Sequence, residues 1–300
     1  MNDFKSFELK DREYLEKFFL KENNLRFCEF NFTNLYCWGE IYKILWKEFN
    51  NSILMYNGLE DVIYFPLGDE FEVKDIINIS DSMIKQGKTG NYMFVPHYYI
   101  EKYKEELSDD FNIIADENNF DYIYLTEKLA FLKGRKLSKK RNLISQFERN
   151  IVDYKSELLK KEYSEECLKL ARKWCEERIC DLLGFTEEMS AIRRVFDNFN
   201  KLSVEGIVVK VDGKIEAFSI FSKLYEDCYD IHFEKYNSSI KGIAQIINKD
   251  TAVYLNDKCQ YINREQDMGI LGLKKSKRSY YPDLMPKSYI LERKSKEICK

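Results

Sequence analysis

The sequence predicts a two-domain α/β (α+β) protein with mixed, mostly antiparallel sheets, and three observations carry that expectation. The chain has 300 residues, while single domains typically hold about 100–200. Apolar runs flank Asn57-Gly58 in the first half and Asp212-Gly213 in the second, and both dipeptides favour tight hairpin turns. Each half also repeats one rhythm of helix, meander, helix and strand. The domains are therefore set at residues 1–126 and 127–300, as a diverged tandem duplication.

The elements follow in order. A helix is expected from about Asp11 to Lys21, then strands at Tyr42–Phe49, Ile53–Tyr56 and Val62–Pro66. A helix near Val73–Gln86 precedes a strand at Tyr92–Val95. A helix over Ile100–Leu107 precedes strands at Phe111–Ala115 and Tyr122–Leu125. Residues 126–137 read as a crossing piece. In the second half Leu143, Ile144, Phe147 and Ile151 recur at helical spacing, with Ser138 as a candidate N-cap. A strand at Tyr154–Leu158 and helices at 163–179 and 187–201 come next. The hairpin Gly206–Val211 with Lys214–Phe221 and a strand at Cys228–Phe233 follow. A helix runs from about Ser238 to Leu255, before strands at Tyr261–Met268 and Ser288–Glu292 and a basic tail.

Composition narrows the function. Apolar residues make up 44% and charged residues 33%, yet the net charge is only −3. That balance argues against a nucleic-acid coat or a membrane-surface protein, although a local basic patch is compatible with it. No stretch approaches the roughly 20 apolar residues that span a bilayer. The charged N-terminus lacks the apolar core of a secretion signal. The expected location is the cytosol, with the eight cysteines reduced and mostly buried. No Cys-x-x-Cys spacing occurs, and His97 and His232 are the only histidines, so no metal site is expected. Nothing in the sequence signals an oligomeric state.

Several segments together resemble the phosphatidylglycerol lysyltransferase C-terminal domain family. They are Gly134-Arg-Lys-Leu-Ser-Lys-Lys-Arg-Asn142 with Phe147, then Tyr261-Ile-Asn-Arg-Glu-Gln-Asp-Met-Gly269 with Gly272-Leu-Lys-Lys-Ser-Lys277. Phe30-Asn-Phe-Thr-Asn-Leu-Tyr-Cys-Trp38 adds to them. The order of second-half elements is likewise that of the GNAT (acyl-CoA N-acyltransferase) fold, in which two parallel strands splay apart around an acyl donor. The resemblance implies tandem GNAT-like domains and an acyl or aminoacyl transferase, with acyl-CoA or aminoacyl-tRNA as donor and no covalently bound cofactor. In the named transferase the module passes an aminoacyl group from charged tRNA to a lipid headgroup. The membrane-spanning domain of that enzyme has no counterpart in this sequence, which leaves the acceptor open. The alternative is a binding module for a CoA-, nucleotide- or tRNA-like anion, without turnover.

Candidate residues fall into four groups. Gly242 and Ala244 occupy the small positions of a degraded CoA signature, with Ser239 at its head, where helix amides could meet a phosphate; the other reading is a plain helix start capped by Asn237 or Ser238. Lys139, Lys140 and Arg141 crowd the first turn of a helix, where each cation costs about 0.3–1 kcal/mol. A bound polyanion would offset that cost, and a solvated basic face is the other reading. Asn263, Glu265 and Asp267 alternate along an expected strand, so they would share one face. Glu265 and Asp267 are candidate bases, with Asn263 beside them, and Arg264 would orient an anionic group. Because that strand is polar on both faces, it either lines a cleft or frays into solvent. Lys277, among Lys274, Lys275 and Arg278 and next to Tyr280 and Tyr281, could contact phosphate; a basic surface helix end is the other reading. His232 reads foremost as structural, with a general base as the other reading. Glu176, Glu177 and Arg178 read as a solvated helix face.

Overall fold

The computed structural model describes residues 3–20, 25–176 and 182–295. In chain order the elements begin with β1 (Lys5–Ser6), α1 (Arg12–Phe19), α2 (Phe32–Trp38), β2 (Ile44–Phe49), β3 (Ser52–Asn57) and β4 (Val62–Leu67). They continue with α3 (Val73–Ile84), β5 (Asn91–Pro96), α4 (His97–Asp110), β6 (Phe111–Ala115), β7 (Ile123–Leu125), α5 (Thr126–Phe131), α6 (Ser138–Asn150) and β8 (Tyr154–Leu158). The rest are α7 (Ser164–Glu176), α8 (Leu182–Asp197), β9 (Glu205–Val211), β10 (Lys214–Tyr225), β11 (Cys228–Tyr236), α9 (Ile243–Leu255), β12 (Tyr261–Asn263), α10 (Leu271–Arg278) and β13 (Ser288–Arg293).

Two compact units result, and both have GNAT-like topology. The first comprises residues 1–121, 266–271 and 285–300, and the second 122–265 and 272–284. The first holds a seven-stranded sheet ordered β1-β2-β3-β4-β5-β13-β6. Its β2–β3–β4 meander is antiparallel, and β4 then pairs parallel with β5 at Val62↔Asn91, Ile63↔Tyr92 and Tyr64↔Met93. The β3–β4 register skips between Ile53↔Leu67 and Met55↔Tyr64. Pro66 lies in the skipped stretch, where a residue without an N–H cannot continue the ladder. Trp46, Tyr56, Tyr92, Tyr99 and Phe111 fill the core.

The second unit repeats the plan with a six-stranded sheet ordered β7-β12-β11-β10-β9-β8. Asp212 and Gly213 adopt positive φ, 49° and 75°, as a tight hairpin turn requires. β11 pairs parallel with β12, and α9 connects them. Ile243, Ile246, Ile247 and Leu255 of α9 are fully buried, each worth roughly 1.5–3 kcal/mol of apolar transfer.

Several expectations are corrected. The strand expected over Tyr261–Met268 ends at Asn263, because the Asn263 side chain accepts a hydrogen bond from the Glu265 amide at 2.7 Å and turns the chain. The long helix starts at Ile243, not Ser238; Asn237 instead accepts from the Ser239 amide in a preceding turn. Ser138 is the first residue of α6, and no side chain caps that helix. The 126–137 crossing piece contains α5, and α2 was not expected. The division of the chain also differs from a cut at 126: the final strand, β13, lies between β5 and β6 in the first sheet. Glu177, Arg178 and Cys180, and the tail beyond 295, lie outside the described residues. The described cysteines Cys28, Cys37, Cys167, Cys228 and Cys259 are buried and form no disulfide. Among the described residues no helix is long and apolar enough to cross a membrane.

Candidate functional site

The second unit gathers its chemistry where β11 and β12 stop pairing. Their parallel ladder runs through Cys228↔Tyr261, Tyr229↔Ile262 and Asp230↔Asn263, and then ends, although β11 continues to Tyr236. Beyond that point side chains replace the ladder. Arg264 Nη2 meets Glu234 Oε1 of β11 at 2.8 Å, with both side chains only 12–13% exposed. Asn248 of α9, with its amide oxygen turned to the guanidinium, accepts from Nε and Nη1 at 3.3 and 3.2 Å. The Arg264 amide donates to the Tyr122 carbonyl at 3.0 Å. Burial, the largest single influence, works against the charge on Arg264, but Glu234 together with Tyr124, Tyr280 and Tyr236 outweighs it and the guanidinium is held more firmly protonated than usual.

Lys140 of α6 reaches the same place. Its ammonium sits 3.9 Å from the centre of the Tyr280 ring, and the Arg264 guanidinium lies 5.3 Å from that ring. Tyr280 is 3% exposed, and burial pushes its hydroxyl up to about 12. No carboxylate among the described residues forms an ion pair with Lys140. Burial first, and then the neighbouring Arg264, pull its pKa down to about 8, against a partial opposing effect of Glu234. Two cations thus lie against one buried aromatic ring, and one carboxylate, Glu234, acts on both.

Glu265 turns the other way. Its backbone is left-handed, φ 55°, a conformation imposed by the Asn263 turn. Its carboxylate, 27% exposed, lies 3.8 Å from His232 Nδ1. Asp230 Oδ2 lies 3.4 Å from the same nitrogen, and the side chains of Asp230 and His232 are fully buried. Nε2 of His232 bonds the Ser222 hydroxyl at 2.7 Å. The β10–β11 register skips at this histidine, passing from Ile220↔Phe233 to Phe221↔Ile231. Such a bulge re-aims the extra side chain.

The remaining sequence candidates disperse. Lys139 is exposed. Arg141 Nη1 donates to the carbonyls of Leu132 and, at 2.7 Å, Gly134, tying down the left-handed turn after α5. The Lys277 ammonium lies 5.9 Å from the Tyr122 ring centre, while its carbonyl accepts from the Tyr124 hydroxyl at 2.8 Å. Gly242 has φ 92°, and a Cβ there would come within 2.4 Å of the Leu143 carbonyl oxygen and 2.8 Å of Phe147 Cβ. Glycine thus lets α6 pack on the start of α9. The amides of Ile243, Gln245 and Ile246 already bond chain carbonyls, and Ala244 beside them is half-buried. Asp267, 1% exposed, falls in the first unit and accepts from the Gly269 amide at 2.9 Å. The expected common face of Asn263, Glu265 and Asp267 therefore does not form.

Glu234, Asp230, Ser222 and Asn248, which surround Arg264 and His232 here, were not singled out from the sequence. A usable signal was present in Asp230-Ile-His232-Phe-Glu234-Lys235, which alternates polar with apolar residues in a strand that should read as near-continuously apolar.

A family model described as phosphatidylglycerol lysyltransferase, C-terminal, matches residues 23–292. A conserved protein of unknown function from Bacteroides thetaiotaomicron VPI-5482 superposes with a TM-score of 0.90 at 29% identity, covering 97% of this chain and 99% of that one. L-PGS from Bacillus licheniformis gives 0.63 at 15% identity, covering 96% and 93%. A tandem GNAT protein from the clavulanic acid biosynthesis pathway gives 0.50 at 7%, covering 98% and 99%. The last two are similarities of fold.

Proposed function

The chain belongs to the phosphatidylglycerol lysyltransferase C-terminal family, and from that premise we propose that it transfers an aminoacyl group from an activated ester to an amine or hydroxyl acceptor in its second unit. Family and fold are those of acyl and aminoacyl transferases. One observation carries the finer reading: Lys140, Glu234, Arg264 and Tyr280, distant in sequence, meet where β11 and β12 part, and Glu265 with His232 is the next residue along.

In this reading the protonated Lys140 and the spare N–H groups of Arg264 hold an anionic part of the donor. Glu265 takes the proton as the acceptor attacks the ester carbonyl. The C–O bond to the leaving alcohol then breaks, and that alkoxide takes the proton back from Glu265. Orientation and a positioned base supply the rate, with no covalent enzyme intermediate. The close packing at Gly242 and the bonded first-turn amides of α9 weigh against a CoA pyrophosphate at that helix start. They favour an aminoacyl ester of tRNA as donor.

The test uses labelled aminoacyl-tRNA with purified chain, and acyl-CoA in parallel. Glu265→Gln should keep the circular dichroism and melting of the wild type and lower transfer by about 10²–10⁴-fold. Undiminished transfer in that variant would remove Glu265 from the chemistry. Tight tRNA binding with no transfer by the wild type would leave a binding module instead.

A further inference from the structure

We propose that Asp230, His232 and Glu265 form a site for one divalent transition-metal ion of the Zn2+ class, and that the ion competes with the proton-accepting role given above to Glu265. The effect on transfer rests on that reading; the site itself does not.

The donor atoms of the three side chains all lie within 4.8 Å of one another. From His232 Nδ1 the two carboxylates stand at 3.4 and 3.8 Å. Around a tetrahedral ion with bonds of about 2.0–2.2 Å, adjacent ligand atoms are about 3.3–3.6 Å apart. Both histidine–carboxylate distances therefore lie within tenths of an ångström of that spacing. One neutral imidazole and two carboxylates also balance the charge of a divalent cation, and this mixed N/O set suits zinc rather than Mg2+.

Each ligand is held in place by a neighbour. Ser222 bonds Nε2 at 2.7 Å, which leaves Nδ1 toward the carboxylates; metal-bound histidines are generally fixed through their other nitrogen in this way. The register skip turns His232. The Asn263 turn fixes the left-handed Glu265. Glu265, at 27% exposed, is the member through which an ion would enter. A second trio, Cys28, Glu29 and Asp121 in the first unit, meets the same distance criterion. There Gln266 donates to Glu29 and, at 3.3 Å, to Cys28 Sγ, and the Cys28 amide donates to Asp121.

Calorimetric titration of ZnCl2 into chelator-treated full-length chain tests the site without donor or acceptor, so its outcome is independent of whether transfer occurs. One equivalent should bind. Affinity should fall at least tenfold in both His232→Gln and Glu265→Gln, and stay unchanged in Cys28→Ser. Co2+ in the same site should show a tetrahedral visible spectrum without thiolate charge-transfer bands. Absence of binding, or binding that both variants retain, would overturn the proposal. If His232→Gln does not fold, Glu265→Gln decides alone.

Discussion

Lys140 shows how much one side chain's surroundings determine. Burial and Arg264 bring its pKa to about 8 from an ordinary 10.5. Between those two values the folded chain has released a proton that the unfolded chain still holds. The unfolded state then binds more protons, so this residue makes stability rise as pH climbs from about 8 to about 10.5. Anion binding runs in the opposite sense, because it needs the ammonium. Donor affinity should therefore weaken as pH rises through about 8. Lys140→Met should flatten that profile and cost about tenfold in affinity at pH 7, which filter binding of tRNA across pH would measure. The sequence marked Lys139, Lys140 and Arg141 alike, and of the three only Lys140 lies against Tyr280 and Arg264. First-turn charge density cannot say which cation turns inward and which ties down a neighbouring turn. Asn263 and Asp267 also looked like chemistry, since a side chain that caps a turn has the composition of one that binds a substrate.

Helix packing explains Gly242 better than any phosphate does. Where α9 begins, α6 lies so close that a side chain has no room, and the residue's φ of 92° is one that favours glycine. Gly242→Ala should thus destabilise the protein by about 2–4 kcal/mol, read as a lower urea midpoint, with the Zn2+ affinity of the folded fraction unchanged. At this scale the sequence was largely legible. The boundaries of β6 and β8 match their expected runs, and Asp212-Gly213 marks its hairpin. The segment after Asn263 failed because strand alternation is a pattern of residue types, and one asparagine side chain competing for a backbone amide ends the ladder. The bulge at His232 left no trace, since a register skip depends on both strands.

Over the whole chain, the first sheet is completed by the last strand. β13 pairs with β5 through Ser288↔Pro96 and with β6 through Leu291↔Ile113. Arg293, 4% exposed, bonds Asp81 at 2.7 Å and Asp110 at 2.6 Å. A chain ending at residue 284 should lose amide-exchange protection in β5 and β6, while β9, β10 and β11 keep theirs; equal protection in both sheets of the shortened chain would contradict this. A cut at 126 follows local rhythm, and local rhythm carries no information about which sheet a strand joins. That choice is made by contacts of long sequence separation. The two units and their shared topology were still readable, because the helix-and-meander period recurs in each half.

The position of β13 also sets an order on biosynthesis. Residues 1–121 leave the ribosome well before Ser288–Arg293, and the slot between β5 and β6 stays vacant until that segment emerges. The domain begun first is finished last, and during translation it presents two open strand edges of the kind that invite mispairing or chaperone capture.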